Sequence, residues 1–114
     1  MADLTTSYLG LELKNPVVVS SSGITRNVEG VLRCADAGAG AIVLKSLFEE
    51  QIESEAEQEQ EATEVSMHPE ADDYIRQMGK HLGPDDYLAL VEQAKKKTDV
   101  PIIASLNSRT TKWW

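Results

Sequence analysis

The chain has a single cysteine, Cys34, among its 114 residues, which excludes an intramolecular disulfide framework. It has no apolar run approaching the roughly 20 residues that a membrane-crossing helix needs. Its first residues, Met1 to Thr6, lack the basic and apolar regions of a secretory leader. It is also poor in positive charge. Eleven Lys and Arg stand against 19 Asp and Glu, a net charge of −8. Phosphate backbones are bound by clustered Lys and Arg, so nucleic acid is excluded as the main partner. What remains is one domain of ordinary size, and a cytoplasmic protein is the expectation. Hydrophobic residues make up 41% and charged residues 26%, a balance that excludes disorder throughout the chain.

The most informative stretch is Ala41-Ile42-Val43-Leu44-Lys45-Ser46-Leu47-Phe48. Its aliphatic opening reads as a strand buried on both faces. Lys45 interrupts it. An ammonium is costly to bury, so the reading asks for a carboxylate, a ligand or the open mouth of a barrel beside it. A lysine snorkelling at a strand terminus is the plainer alternative.

Upstream, Leu9 to Lys14 alternates apolar and polar residues around Gly10, the pattern of a short hairpin. Pro16 to Val19 reads as an apolar strand running into Ser20-Ser21-Ser22-Gly23. Small hydroxyl residues before a glycine let a ligand approach the backbone and offer it donors; an ordinary strand-to-helix turn has the same composition. Val28, Val31, Leu32 and Ala35 then fall on one helical face. Thr25 or Asn27 is placed to cap that helix and Gly38 to end it. Cys34 lies within it as a small semi-buried thiol with no basic partner. Strand, helix, strand with a short return connection is a βαβ unit with parallel strands.

Residues 49–66 are acidic. Eight glutamates and no Lys or Arg occur between Glu49 and Glu64, which reads as a solvated, mobile segment. No metal-ligand spacing accompanies them. Ala71 to Met78 reads as a short helix, and His68 and His81 as solvated loop residues. Pro84-Asp85-Asp86 suits a helix start, Lys95-Lys96-Lys97 suits its carboxyl end, and Tyr87, Leu88, Val91 and Ala94 form its expected buried face. Pro101 to Asn107 reads as a third buried strand. Three strands thus finish in polar residues: Ser20 to Gly23, Lys45 with Ser46, and Ser105 with Asn107. If the strands are parallel, these clusters share one rim, which is the signal of a binding site.

Tyr8-Leu9-Gly10-Leu11, Leu13-Lys14-Asn15-Pro16, Val19-Ser20-Ser21-Ser22-Gly23 and Ala37-Gly38-Ala39-Gly40-Ala41 leading to Lys45-Ser46 together resemble the amino-terminal part of class 1 dihydroorotate dehydrogenases, in their dihydroorotate dehydrogenase-like branch. The resemblance covers residues 4–107. It implies an α/β fold consisting of the first three β/α units of a TIM (β/α)8 barrel, with parallel strands and a short amino-terminal hairpin. It implies an FMN-dependent oxidoreductase converting dihydroorotate to orotate in pyrimidine biosynthesis. By resemblance, Ser20, Ser21, Ser22 and Gly23 lie along the flavin. Lys45 reaches the flavin or substrate, Ser46 supports the ring, and Asn107 sits near it. The family's substrate-loop motif is absent from Met67 to Leu82, and its catalytic base falls beyond the third strand, so no catalytic residue is assigned.

The reading is therefore a partial FMN-binding barrel over residues 1–107, inactive alone, followed by an atypical tail over 108–114 of the kind that a truncated or frameshifted frame would leave. The expected partners are a small-molecule substrate, dihydroorotate or a relative, and a second copy of the chain; no membrane partner is expected. Two other readings compete. One is a non-catalytic, self-associating α/β fragment. The other is a small anion-binding module built on Lys45 and the serines.

Overall fold

The computed structural model describes residues 2–49, 52–53 and 83–113. The expected helix Ala71 to Met78, His68, His81 and most of the acidic segment lie outside the described residues. Those described fall into two compact units, Met1–Ser46 with Leu88–Ser105, and Leu47–Tyr87 with Leu106–Trp114.

The first unit opens with an antiparallel hairpin, β1 (Thr6–Tyr8) and β2 (Leu11–Leu13). Its two-residue loop places Leu9 at φ 52 and Gly10 at φ 76. Positive φ at both central residues is the type I′ signature, whose twist matches that of paired strands. Gly10 adopts it at no steric cost, whereas Leu9 is strained.

A parallel sheet follows, in the order β3 (Val18–Val19), β4 (Ala41–Val43), β6 (Ile102–Ile103). The central strand is the core: Ala41, Ile42 and the following Leu44 are fully buried. Burial of Ile42 and of Leu44 contributes about 1.5–3 kcal/mol each of hydrophobic stabilisation. The outer strands are less covered than their apolar composition predicts. Val17 and Val18 are exposed, and Ile102 and Ile103 are half-buried. Among the described residues β3 pairs on one side only, so its apolar side chains have fewer neighbours than those of a central strand. The expected barrel is not closed here: the described residues form a small α/β protein with a three-stranded parallel sheet and a hairpin.

Helix α1 (Val28–Asp36) joins β3 to β4. Asn27 caps it, its side-chain oxygen accepting the Gly30 N–H at 2.8 Å. At the other end Gly38 takes φ 97. The Gly38 N–H donates to the Ala35 carbonyl at 3.0 Å and the Ala39 N–H to the Cys34 carbonyl at 3.2 Å. That pair of bonds is a Schellman cap. Val31 and Cys34 supply the buried stripe.

Helix α2 (Pro84–Lys97) begins at proline, with Asp85 and Asp86 in its first turn and three lysines in its last, each suited to the helix dipole. Its buried face differs from the expected one. Leu88 is 64% exposed and Leu90 only 6%; the stripe runs Tyr87, Leu90, Ala94. Counting four apolar residues along the sequence selected the wrong leucine, because Leu88 and Leu90 lie about 200° apart around a helix.

In the second unit, β5 (Leu47–Phe48) pairs in parallel with β7 (Leu106–Asn107). The two long strands expected over Ala41–Phe48 and Pro101–Asn107 are therefore each two short ones. Val43 pairs with Ile103, and Leu47 with Leu106. Three residues, Leu44 to Ser46, separate the first pair from the second on one strand; two, Ala104 and Ser105, do so on the other. No helix among the described residues is long and apolar enough to cross a membrane.

Candidate functional site

Past the end of β4 the backbone of Lys45 and Ser46 bonds to the loop after β3. The last ladder bond here is the Leu44 N–H donating to the Ile103 carbonyl at 2.9 Å. The next two N–H groups leave the sheet. Lys45 N–H donates to the Thr25 carbonyl at 3.3 Å, and Ser46 N–H donates to Ser21 Oγ at 2.9 Å. The loop after β3 thereby accepts donors that lie beyond the end of β3.

Side chains complete the arrangement. Ser21 Oγ and Ser46 Oγ lie 3.2 Å apart, and Ser46 Oγ and Ser105 Oγ 2.6 Å apart. Each of the three parallel strands thus contributes one hydroxyl from the residues just past its carboxyl end, and the hydroxyls form one hydrogen-bonded chain. Every member can both donate and accept.

The loop after β3 is shaped by Thr25. It closes the 3-10 turn Gly23–Thr25 and is fully buried. Its N–H and Oγ1 both donate to the Ser22 carbonyl, at 3.2 and 3.1 Å, and its Oγ1 accepts the Ser22 N–H at 3.4 Å. The helix behind comes so close that a Cβ on Gly30 would stand 1.7 Å from the Ile24 carbonyl oxygen. No larger residue fits there without moving the turn. Gly23 has the opposite surroundings, with nothing within 4 Å of where a Cβ would be. The turn is held from behind and open in front.

The predicted site residues are placed as follows. Ser20, Ser21, Ser22 and Gly23 are all exposed at the end of β3. Ser21 and Ser46 are joined directly. Lys45 is exposed, so the argument from burying an ammonium does not apply; its backbone is fixed by Thr25. Asn107 is an exposed residue of β7, in the second unit. Ser105, which the strand-tip pattern groups with Asn107, is joined to Ser46. Thr25, expected as a helix cap, instead shapes the loop.

Elsewhere, an open depression of about 490 Å³ follows the hairpin, lined by Thr5, Thr6, Ser7, Glu12, Leu13 and Lys14. It does not include the serine cluster. Among the described residues no group of three or more His, Cys, Asp or Glu is placed to hold a metal ion. The cluster is a set of hydroxyl donors and acceptors next in sequence to the exposed Lys45, chemistry suited to a polar or anionic organic group.

Compared with protein-family models, with curated proteins and with solved structures, the chain gives no match. The likeness to dihydroorotate dehydrogenases thus rests on its motifs alone.

Proposed function

We propose that this chain is an FMN-dependent oxidoreductase of the dihydroorotate dehydrogenase type, built on the first three β/α units of a (β/α)8 barrel. The observation that carries the reading is the hydroxyl chain Ser21–Ser46–Ser105 with Lys45 next to it in sequence. Strand order supports it. The sheet runs β3, β4, β6, so successive strands are added on the same side. Barrels are wound that way, whereas doubly wound sheets reverse at a switch point.

The donor set suits a flavin. Ser20, Ser21, Ser22 and Gly23 would line its ring, with the open space at Gly23 admitting it. Lys45 and Ser46 would donate to the oxygens and nitrogen that gain negative charge on reduction. Asn107 is included as a contact to the ring by resemblance. FMN would supply the hydride acceptor; the protein residues bind and orient it. The substrate would be dihydroorotate or a relative, and no residue of this chain is assigned as its base. A cytoplasmic location goes with this reading.

Titration of the purified chain with FMN, followed by flavin absorption and fluorescence, tests it. A saturable spectral shift is expected. Lys45→Ala removes a charge-assisted hydrogen bond of about 1.5–3 kcal/mol, and should weaken binding roughly ten- to hundredfold. The absence of any shift at millimolar FMN, or equal affinity in Lys45→Ala, would reject the proposal.

A further inference from the structure

We infer that Thr25 is the positioning residue of this site, acting through its hydroxyl to set where the Lys45 backbone stands relative to the β3 serines. The inference rests on the flavin reading for its consequence, but not for its geometry. Thr25 is bonded both to Ser22 of the serine loop and to the Lys45 backbone, beside the direct Ser21–Ser46 bonds. Its hydroxyl and N–H close on Ser22, and its carbonyl receives the Lys45 N–H at 3.3 Å. Thr25 is fully buried, and α1 presses on the same turn at Ile24 through Gly30.

The mechanism is mechanical. Consecutive N–H groups along a strand face opposite sides, so the Lys45 N–H faces the β3 side, where β3 has already ended at Val19, and its position depends on the acceptor that stands there instead. That acceptor, the Thr25 carbonyl, points at Lys45 only while the Ser22–Thr25 turn stays closed. A buried hydroxyl serving Ser22 as acceptor and donor at once closes it. Serine supplies the same hydroxyl; valine supplies the same volume without it.

The test compares Thr25→Val, Thr25→Ser and Asn27→Ala. The last removes the α1 cap and lowers stability while leaving every hydrogen bond of the Ser22–Thr25 turn in place. Amide hydrogen exchange is read at Lys45 and Ser46, and the flavin spectrum is read on FMN-titrated protein. Thr25→Val is expected to speed Lys45 exchange by about tenfold or more relative to the sheet amides Ile42 and Leu44, and to alter the flavin spectrum. Thr25→Ser should restore both. Asn27→Ala should leave the ratio of Lys45 to Ile42 exchange unchanged.

Equal exchange in Thr25→Val and the parent chain overturns the inference, as does a matching change in Asn27→Ala. If Thr25→Val fails to fold, Thr25→Ser decides: parental exchange at Lys45 supports the role of the hydroxyl, and faster exchange overturns it by assigning the role to the methyl group. Because exchange is measured without flavin, failure of FMN to bind would reject the proposed function and leave this inference standing on its own result.

Discussion

Glu49 shows how far a single residue can depart from its neighbourhood in sequence. It opens the acidic segment read as solvated, yet it is 1% exposed. Its carboxylate accepts the N–H of Arg109, and that of Thr110 at 2.9 Å, together with the Thr110 hydroxyl. The Thr110 hydroxyl, with the backbone donors, holds the Glu49 carboxyl below the usual glutamate range, against burial, which pushes it up. With the folded value below the unfolded one, this clasp contributes fully above the unfolded pKa. It is lost as pH falls through the folded one. We expect exchange at the Arg109 and Thr110 amides to accelerate from about pH 4 downward. In Glu49→Gln it should be fast already at neutral pH and vary less with acid, beyond the intrinsic rate. Protection in Glu49→Gln equal to the parent's would show that the charge is not what holds the tail. The sequence could not reveal this contact, because its partners lie about 60 positions away. Ser105 was legible as a polar strand tip, but its bond to Ser46 was not: a serine near a strand end is ordinary until another strand brings a hydroxyl to 2.6 Å.

Helices were more legible than strands. The limits of α1 follow from a cap, a 3.6-residue period and a glycine, all read within ten or so neighbouring residues. The start and end of α2 follow from proline and charge. Its facing does not, because several apolar residues compete and only packing selects among them. Leu90→Ala should cost about 2–4 kcal/mol in urea denaturation, while Leu88→Ala should stay within about 0.5 kcal/mol. The reverse ranking would mean that α2 packs through the face first expected. Strand interruptions were not legible at all. Ala41 to Phe48 is continuous in apolar character apart from Lys45 and Ser46. The break at Leu44 to Ser46 arises because the partner strand is one residue shorter between the same two pairings.

The order β3-β4-β6 leaves β3 with a free side among the described residues and with Val17 at 60% and Val18 at 38% exposure. Open strand edges bearing apolar side chains favour pairing with another chain. Sedimentation of the parent chain is expected to show concentration-dependent self-association, and Val18→Lys to shift it toward monomer. A parent chain that stays monomeric at high concentration would remove the second copy from the list of partners. This reading and the flavoenzyme reading make separate demands. The first concerns the edge of the sheet, the second the carboxyl ends of its strands.

The amino-acid sequence by itself determined the hairpin, both helices with their ends, the apolar centre at β4, and the polar character of all three strand tips. Those features depend on residues within a turn or two of one another, where φ preference, capping and periodicity act. Only the tertiary structure decided that Ser21, Ser46 and Ser105 share one hydrogen-bonded chain, that Lys45 is exposed, and that Glu49 is buried. These depend on strand register, which couples residues 25 to about 60 positions apart. Where each strand ends decides which donors stay in the sheet and which turn to a loop.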